Sequence, residues 1–381
     1  MSATQPHIPF NRPYLTGKEA HYLYQAVYAQ HLSGNGKFTK QCHAFFEQRY
    51  GFRKCLLTTS CTDALEMSAL LADIQPGDEV IMPSFTFVST ANAFVLRGAK
   101  IVFADSHADQ PNLDETLLES LITPRTKAIV VVHYAGVACH MTPILALAER
   151  HNLFVIEDAA QAVDSFYEGK PLGSVGHLAA FSFHETKNIQ SGEGGMLAVN
   201  DPRFVHRSEI LWEKGTNRTA FFRGEVDKYG WVDMGSSFLP SEMIAAFLFA
   251  QLEHLDEIQR RRLEIWQRYH DGLAPLAVQG HFRLPVIPAY ATNNAHMFYL
   301  VCPSLDVRSG LIEYLKKANI NCVFHYQSLH QSPFYHDKHD GRVLPNCDHF
   351  SQCLVRLPLF FELTVAQQDF VIEQIRAFFG Q

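Results

Sequence analysis

A chain of 381 residues is too long for one small module; at roughly 150 residues per domain it calls for two or three domains, or one large α/β domain with an appendage. Its 47% hydrophobic and 19% charged residues can build a sizeable core, which excludes global disorder. A net charge of −7, without long runs of one sign, points away from general nucleic-acid and membrane-surface binders, which are usually basic.

The first fourteen residues carry Pro and polar groups but no apolar core of a secretory signal, and no run of about 18 apolar residues occurs anywhere. A soluble, cytoplasmic protein is expected. The eight cysteines form no CxxC pair and lie mostly in apolar segments, so they read as free thiols. Thr16-Gly-Lys-Glu19 has the spacing of a capping box and opens an amphipathic stretch to about residue 30, which predicts an N-terminal arm over 1–30. Ser33-Gly-Asn-Gly36 ends it. Strand-type runs then follow at 55–59, 79–82, 101–104, 128–133, 154–157 and 179–183. Helical patterns fill the gaps at 61–71, 89–97, 114–121 and 142–151. Continuous apolar strands alternating with helices predict a mostly parallel sheet covered on both faces, in a large α/β domain over 31–240. A single long helix over 241–273 is expected as a connector to a smaller α/β domain ending at 381, with runs at 297–301 and 322–324 and helices at 308–318 and after Thr364.

In open parallel sheets a ligand sits beyond the carboxyl ends of the strands, so polar residues there are the candidates. Three groups qualify: Ser60-Cys-Thr-Asp63 at a helix start, Glu157-Asp158 with Gln161, and Ser182 through Lys187-Asn188 followed by Gly192-Glu-Gly-Gly195. Together they supply an acid, an amine, hydroxyls and helix-terminal N–H groups. Pyridoxal phosphate needs such a set: a lysine for its aldehyde, a carboxylate for its ring nitrogen, and hydroxyls with N–H groups for its phosphate. Neither GxGxxG after the first strand nor GxxxxGK[ST] is present, which argues against nicotinamide nucleotides and P-loop chemistry.

Six collinear segments carry a resemblance: Ser60-Cys-Thr-Asp-Ala-Leu65, Pro76-Gly-Asp-Glu-Val80, Pro83-Ser-Phe-Thr-Phe-Val-Ser-Thr90, Val155-Ile-Glu-Asp-Ala-Ala-Gln161, Phe181-Ser-Phe-His-Glu-Thr-Lys-Asn188 and Gly192-Glu-Gly-Gly195. Through them the chain resembles the DegT/DnrJ/EryC1/StrS sugar aminotransferases over almost its whole length. The resemblance implies a fold-type I α/β homodimer with pyridoxal 5'-phosphate as cofactor. It makes Lys187 the Schiff-base lysine and Asp158 the partner of the ring nitrogen. Gln161 then bonds the ring hydroxyl, Phe87 stacks on the ring, and Thr62, Asp63 (by its N–H), Ser182 and Ser237 hold the phosphate, the last from the neighbouring subunit. The family pattern has Gly at Cys61, Asn at Ser237 and Arg at Leu239. Sugar dehydratases of the same superfamily carry His in place of the Schiff-base lysine, and Lys187 argues against them.

The wording of His133-Tyr-Ala-Gly-Val-Ala-Cys139, His184-Glu-Thr-Lys-Asn188 and Gly235-Ser-Ser-Phe-Leu-Pro240 is similar to members that aminate C4 of dTDP-4-keto-6-deoxyglucose to the galacto product, with glutamate as donor. The gluco epimer, a C3 amino sugar and a non-catalytic cofactor-binding sensor are the alternatives. Arg218, Arg223 and Lys228 read either as a clamp on the nucleotide diphosphate or as a solvated loop, and Phe221, Phe222, Tyr229 and Trp231 either as stacking residues for the substrate or as core packing. His325 and Tyr326 are expected near the sugar. His330, His336 and His339 lack regular ligand spacing, so no metal site is expected among them.

Overall fold

The computed structural model describes residues 7–380; residues 1–6 and 381, the extreme ends of the expected arm and C-terminal region, lie outside the described residues. Seven strands form the main sheet: β1 (Lys54–Thr58), β2 (Glu79–Pro83), β3 (Lys100–Ala104), β4 (Thr126–Val132), β5 (Phe154–Asp158), β6 (Leu178–Ser182) and β7 (Gly195–Val199). They lie in the order β1-β7-β6-β5-β4-β2-β3. β2 to β6 pair in parallel, whereas β7 runs antiparallel to both β6 and β1. β7 was not foreseen as a strand, because it returns from β6 through a glycine-rich loop without the helix that marks a parallel crossover.

Successive strand residues alternate between two apolar clusters. Cys55, Leu57, Ile81, Ile129 and Val131 belong to one; Leu56, Val80, Met82, Ala128 and Val130 belong to the other. Both faces of the sheet are therefore buried under helices, which explains the unbroken apolar runs.

The arm's helix starts two residues later than the capping-box spacing suggests. It spans Glu19–Tyr28, and Glu19 accepts the N–H groups of Thr16 and Gly17 at 2.8 and 2.9 Å, while Lys18 occupies the cap position. The connector is two helices, Glu242–Leu252 and Leu255–Val278. The bend at His254 lets one apolar run serve two cores: Ala245, Leu248 and Leu252 join the sheet cluster, and Ile265, Trp266, Tyr269 and Leu273 form a third cluster. That third core backs a smaller antiparallel sheet, β8 (Phe298–Val301), β9 (Val323–Phe324) and β10 (Leu354–Leu357), in the order β8-β10-β9. Among the described residues no helix is long and apolar enough to cross a membrane.

Candidate active site

The carboxyl ends of β1, β2, β5 and β6 converge on one cavity of about 570 Å³, closed on its far wall by residues of the small sheet and the segment before it. Each local sequence accounts for its place there. Ser60 caps the helix Cys61–Leu71, its Oγ accepting the Asp63 N–H at 3.1 Å, so the first turn of that helix opens onto the cavity with Thr62 on the lining. β7 can approach this turn because its first residue is glycine: a Cβ on Gly195 would lie 2.3 Å from the Ser60 carbonyl carbon and 2.4 Å from the Cys61 nitrogen. At the end of β6, Phe181 and, just past the strand, Phe183 are buried in the first core around Phe46, each contributing about 2 kcal/mol by burial. Ser182 between them lines the cavity.

Lys187 follows in a tight loop in which Phe183 N bonds Gly194 O and Glu185 N bonds Gly192 O, both at 2.8 Å. The next residue anchors this loop. Asn188 Nδ2 donates to Gln259 Oε1 and to the Asn294 carbonyl, each at 2.8 Å, and its Oδ1 lies 2.9 Å from His296 Nδ1. Burial holds the Lys187 amine below the ordinary lysine value, with Cys61 and Asp158 opposing the shift.

Asp158 ends β5 in the middle of the sheet, paired with Val132 and Ala180. Burial raises its carboxyl above the ordinary range, and this is partly offset by Thr90 Oγ1, donating to Oδ2 at 2.7 Å, and Ala160 N, donating to Oδ1 at 3.2 Å. Since Thr90 spends its proton on Asp158, the 2.8 Å contact between Thr86 and Thr90 has Thr86 as donor. The Gln161 carboxamide is fixed at both ends, accepting from Ala135 N at 2.6 Å and donating to the Tyr326 hydroxyl at 2.9 Å. The Tyr326 ring stacks on His325 with centroids 3.5 Å apart, and His325 Nδ1 lies 2.8 Å from the Tyr134 hydroxyl. Phe87 stands at the cavity with 56% of its surface exposed, its ring 6.1 Å from that of Tyr326. An exposed aromatic face, a buried acid and a buried amine, with hydroxyls beside a helix N-terminus, fit a phosphorylated pyridine aldehyde.

The structure thus gathers Thr62, Phe87, Asp158, Gln161, Ser182, Lys187, His325 and Tyr326 around one space. Asp63 is off that lining: the N–H expected to face a phosphate instead donates to the cap residue Ser60. Arg218, Arg223, Lys228, Tyr229 and Ser237 also lie outside it, exposed on the segment after β7 and its helix Pro202–Trp212. Arg218 lies over the Phe222 ring at 5.1 Å, and Arg223 is held by Glu209 at 2.8 Å and Glu225 at 2.6 Å. Ser237 makes a bridge with Glu213. The histidines after His325 have separate partners: His330 bonds Ser84 Oγ at 2.7 Å, and His339 the Arg342 carbonyl at 2.8 Å. Four polar cavity residues escaped the sequence reading: Thr86, Ser89, His296 and Arg356. The first two sit inside the quoted Pro83–Thr90 segment, His296 directly before an apolar run, and Arg356 on the short strand β10.

Residues 13–376 match the model of the DegT/DnrJ/EryC1/StrS aminotransferase family. The spore coat polysaccharide biosynthesis protein SpsC of Bacillus subtilis (strain 168) is 33% identical over 381 residues, covering 97% of this chain and 96% of that protein. The aminotransferase TlmJ from Streptoalloteichus hindustanus superposes with a TM-score of 0.90 at 29% identity, covering 98% of this chain and 99% of that one. The pyridoxal-phosphate form of the putative sugar aminotransferase Spr1654 from Streptococcus pneumoniae does so with a TM-score of 0.89 at 25% identity, covering 98% of each chain. The α/β sheet, the collinear segments at its carboxyl edge and these likenesses agree: the chain belongs to the DegT/DnrJ/EryC1/StrS family and is a pyridoxal-phosphate-dependent sugar aminotransferase.

Proposed function

We propose that the enzyme transfers the amino group of glutamate to C4 of a nucleotide-linked 4-keto-6-deoxyhexose, converting dTDP-4-keto-6-deoxyglucose to dTDP-4-amino-4,6-dideoxygalactose for a cell-surface polysaccharide. The observation that carries the catalytic part is that a buried amine and a buried acid, Lys187 and Asp158, line one cavity and act on each other electrostatically. The sugar assignment rests on the wording of 133–139, 184–188 and 235–240.

In this reading Lys187 carries the cofactor aldehyde and Asp158 keeps the ring nitrogen protonated. Gln161 holds the ring hydroxyl, Phe87 covers the ring face, and Thr62 and Ser182 hold the phosphate. The bound cofactor supplies an electron sink for the carbon that loses or gains a proton. Once the donor's amine has displaced it from the cofactor, the freed Lys187 Nζ would take the proton from the α-carbon of the donor and later deliver one to the sugar carbon, always from its own face of the cavity. One face for delivery means one product configuration. His325 and Tyr326, on the opposite wall, orient the hexose, and closure of that wall keeps water from the reacting carbon.

The enzyme works as a homodimer in the cytoplasm. An exposed apolar strip of Phe222, Tyr229, Trp231, Val232 and Met234 accompanies Arg218 and Lys228, which suits a segment covered by a second subunit, with Ser237 of the partner subunit completing the phosphate cup. Cytoplasmic residence accords with eight unpaired thiols. The chain divides near residues 30 and 240 into arm, cofactor domain and smaller C-terminal domain. Incubating the enzyme with glutamate and dTDP-4-keto-6-deoxyglucose and assigning the product by NMR tests the reading. An axial 4-amino group is expected; an equatorial one overturns the configuration, and amination at C3 overturns the substrate.

A further inference from the structure

Arg356 lines the cavity from β10, and among the described residues no carboxylate pairs with it. Its Nε is buried without a hydrogen-bond partner, and its guanidinium packs 4.6 Å over the Phe10 ring. The groups of opposite potential charge that face it are the phenols of Tyr134 and Tyr326, both held neutral by burial. Elsewhere Arg207 has Asp233, and the buried Arg262 has the carbonyls of Ala295 and His296; Arg97, whose Nε is likewise buried without a partner, lies outside the cavity with its Nη1 on Met234 Sδ at 3.5 Å. A guanidinium removed from water and left with open donors costs free energy that a planar anion recovers by bidentate contact.

We propose that Arg356 binds the α-carboxylate of the amino donor. Position selects this anion over the others that visit the cavity. The cofactor phosphate belongs at Thr62 and Ser182, at the ends of β1 and β6, whereas Arg356 stands on the small sheet opposite. The nucleotide diphosphate is attached at C1 of the hexose, across the ring from a reacting C4, so it points away from Lys187. Arg356 instead acts electrostatically on Lys187, His296 and His325. A carboxylate one bond from the carbon that bears the amine falls within that neighbourhood. The keto sugar carries no such group, so the same cavity admits donor and acceptor in turn while Arg356 engages only the first.

The proposal rests on the aminotransferase reading and predicts that its two half-reactions separate. Pyridoxal-form holoenzyme is mixed with glutamate, and pyridoxamine-form holoenzyme with the keto sugar, each followed by cofactor absorbance in a stopped flow. Calorimetry measures 2-oxoglutarate binding to the pyridoxamine form. In Arg356→Gln the half-saturating glutamate concentration and the 2-oxoglutarate Kd rise by about a hundredfold, the usual scale for removing one partner of a desolvated charge pair. The keto-sugar half-reaction stays within about threefold of the parent. Arg356→Lys, which keeps charge and most of the stem, recovers part of the loss and serves if the Gln variant folds poorly. Equal losses in both half-reactions, or a loss confined to the keto sugar, overturn the proposal. Should another amino acid prove the donor, the glutamate assignment fails by itself, and the same comparison with that donor judges Arg356.

Discussion

His296 donates its Nδ1 proton to Asn188 Oδ1 across 2.9 Å, because Asn188 has already spent its Nδ2 on Gln259 and Asn294. The imidazole therefore presents an unprotonated Nε2 to the cavity, and the residue after Lys187 is tied to it. Burial, followed by Lys187, Arg262, Arg356 and His325, drives the His296 pKa well below its usual value. A value that is lower in the folded protein than in the unfolded chain means that unfolding takes up protons as the pH drops, so this group costs stability below about pH 6.5. Nitrogen NMR at about pH 6 is expected to show the neutral Nδ1–H tautomer, and His296→Gln to flatten the acid limb of a urea-stability profile. A protonated ring at that pH would refute the assignment.

Lys187→Ala is expected to lower turnover by on the order of 10⁴-fold, the scale for removing both a nucleophile and its proton relay. Borohydride treatment followed by peptide mass analysis should attach cofactor to Lys187 in the parent enzyme and to no lysine in the variant. Cofactor should still co-elute with the variant on gel filtration, since the ring and phosphate contacts are intact. Labelling of a different lysine in the parent enzyme would move the assignment.

Asp158→Asn should act on Lys187 as well as on the cofactor. Asp158 favours the charged amine, so its removal lowers the Lys187 pKa further. In cofactor-free protein the pH dependence of Lys187 acylation should shift to lower pH than in the parent. A shift to higher pH would contradict the electrostatic account.

His133 and Glu157 form a fully buried pair at 2.9 Å, and Glu157 also accepts the N–H groups of Gly173, Val175 and Gly176. His133 Nδ1 accepts from Cys139 N at 3.2 Å, so its proton lies on Nε2, toward Glu157. Glu157→Gln places an amide donor among existing donors, and should cost about 3 kcal/mol in urea unfolding. A loss below about 0.5 kcal/mol, the scale of an ordinary surface change, would show that the network is not needed.

Gly195→Ala should loosen cofactor binding before it loosens the fold. The new methyl meets the backbone of Ser60 and Cys61, which cannot rotate away, and the turn that carries Thr62 must shift. A cofactor Kd raised about tenfold or more is expected, read by fluorescence titration of the cofactor-free protein, while Tm falls by only a few degrees.

Much of this was legible because parallel strands announce themselves. The runs ending at Thr58, Asp158 and Ser182 are unbroken apolar strings followed by polar residues, so both the sheet and the edge bearing Lys187, Asp158, Gln161 and Thr62 could be read in order. Arg356 and His296 were not, since Arg356 lies within one four-residue strand and His296 just before another, in segments too short to show a period, and both reach the cavity only through folding of the small sheet. The bend at His254 was hidden by an apolar pattern that continues through it. Asp63 misled for a local reason: its N–H has two suitors, and Ser60, three residues earlier, is already in place.

The position of β1 has a consequence for the order in which this protein comes into being. Among the described residues it pairs with no strand other than β7, so it waits for residues 195–199 before it has a neighbour in the sheet. The turn that bears Thr62 follows β1 directly, and Gly195 of β7 packs against it. The cofactor cup therefore cannot form on a nascent chain that ends before about residue 200, even though every side chain on one of its walls has been made. Synthesis arrested short of β7 should yield a product that retains no cofactor, whereas lengthening the chain past it should let the sheet close from its centre outward and admit the coenzyme last.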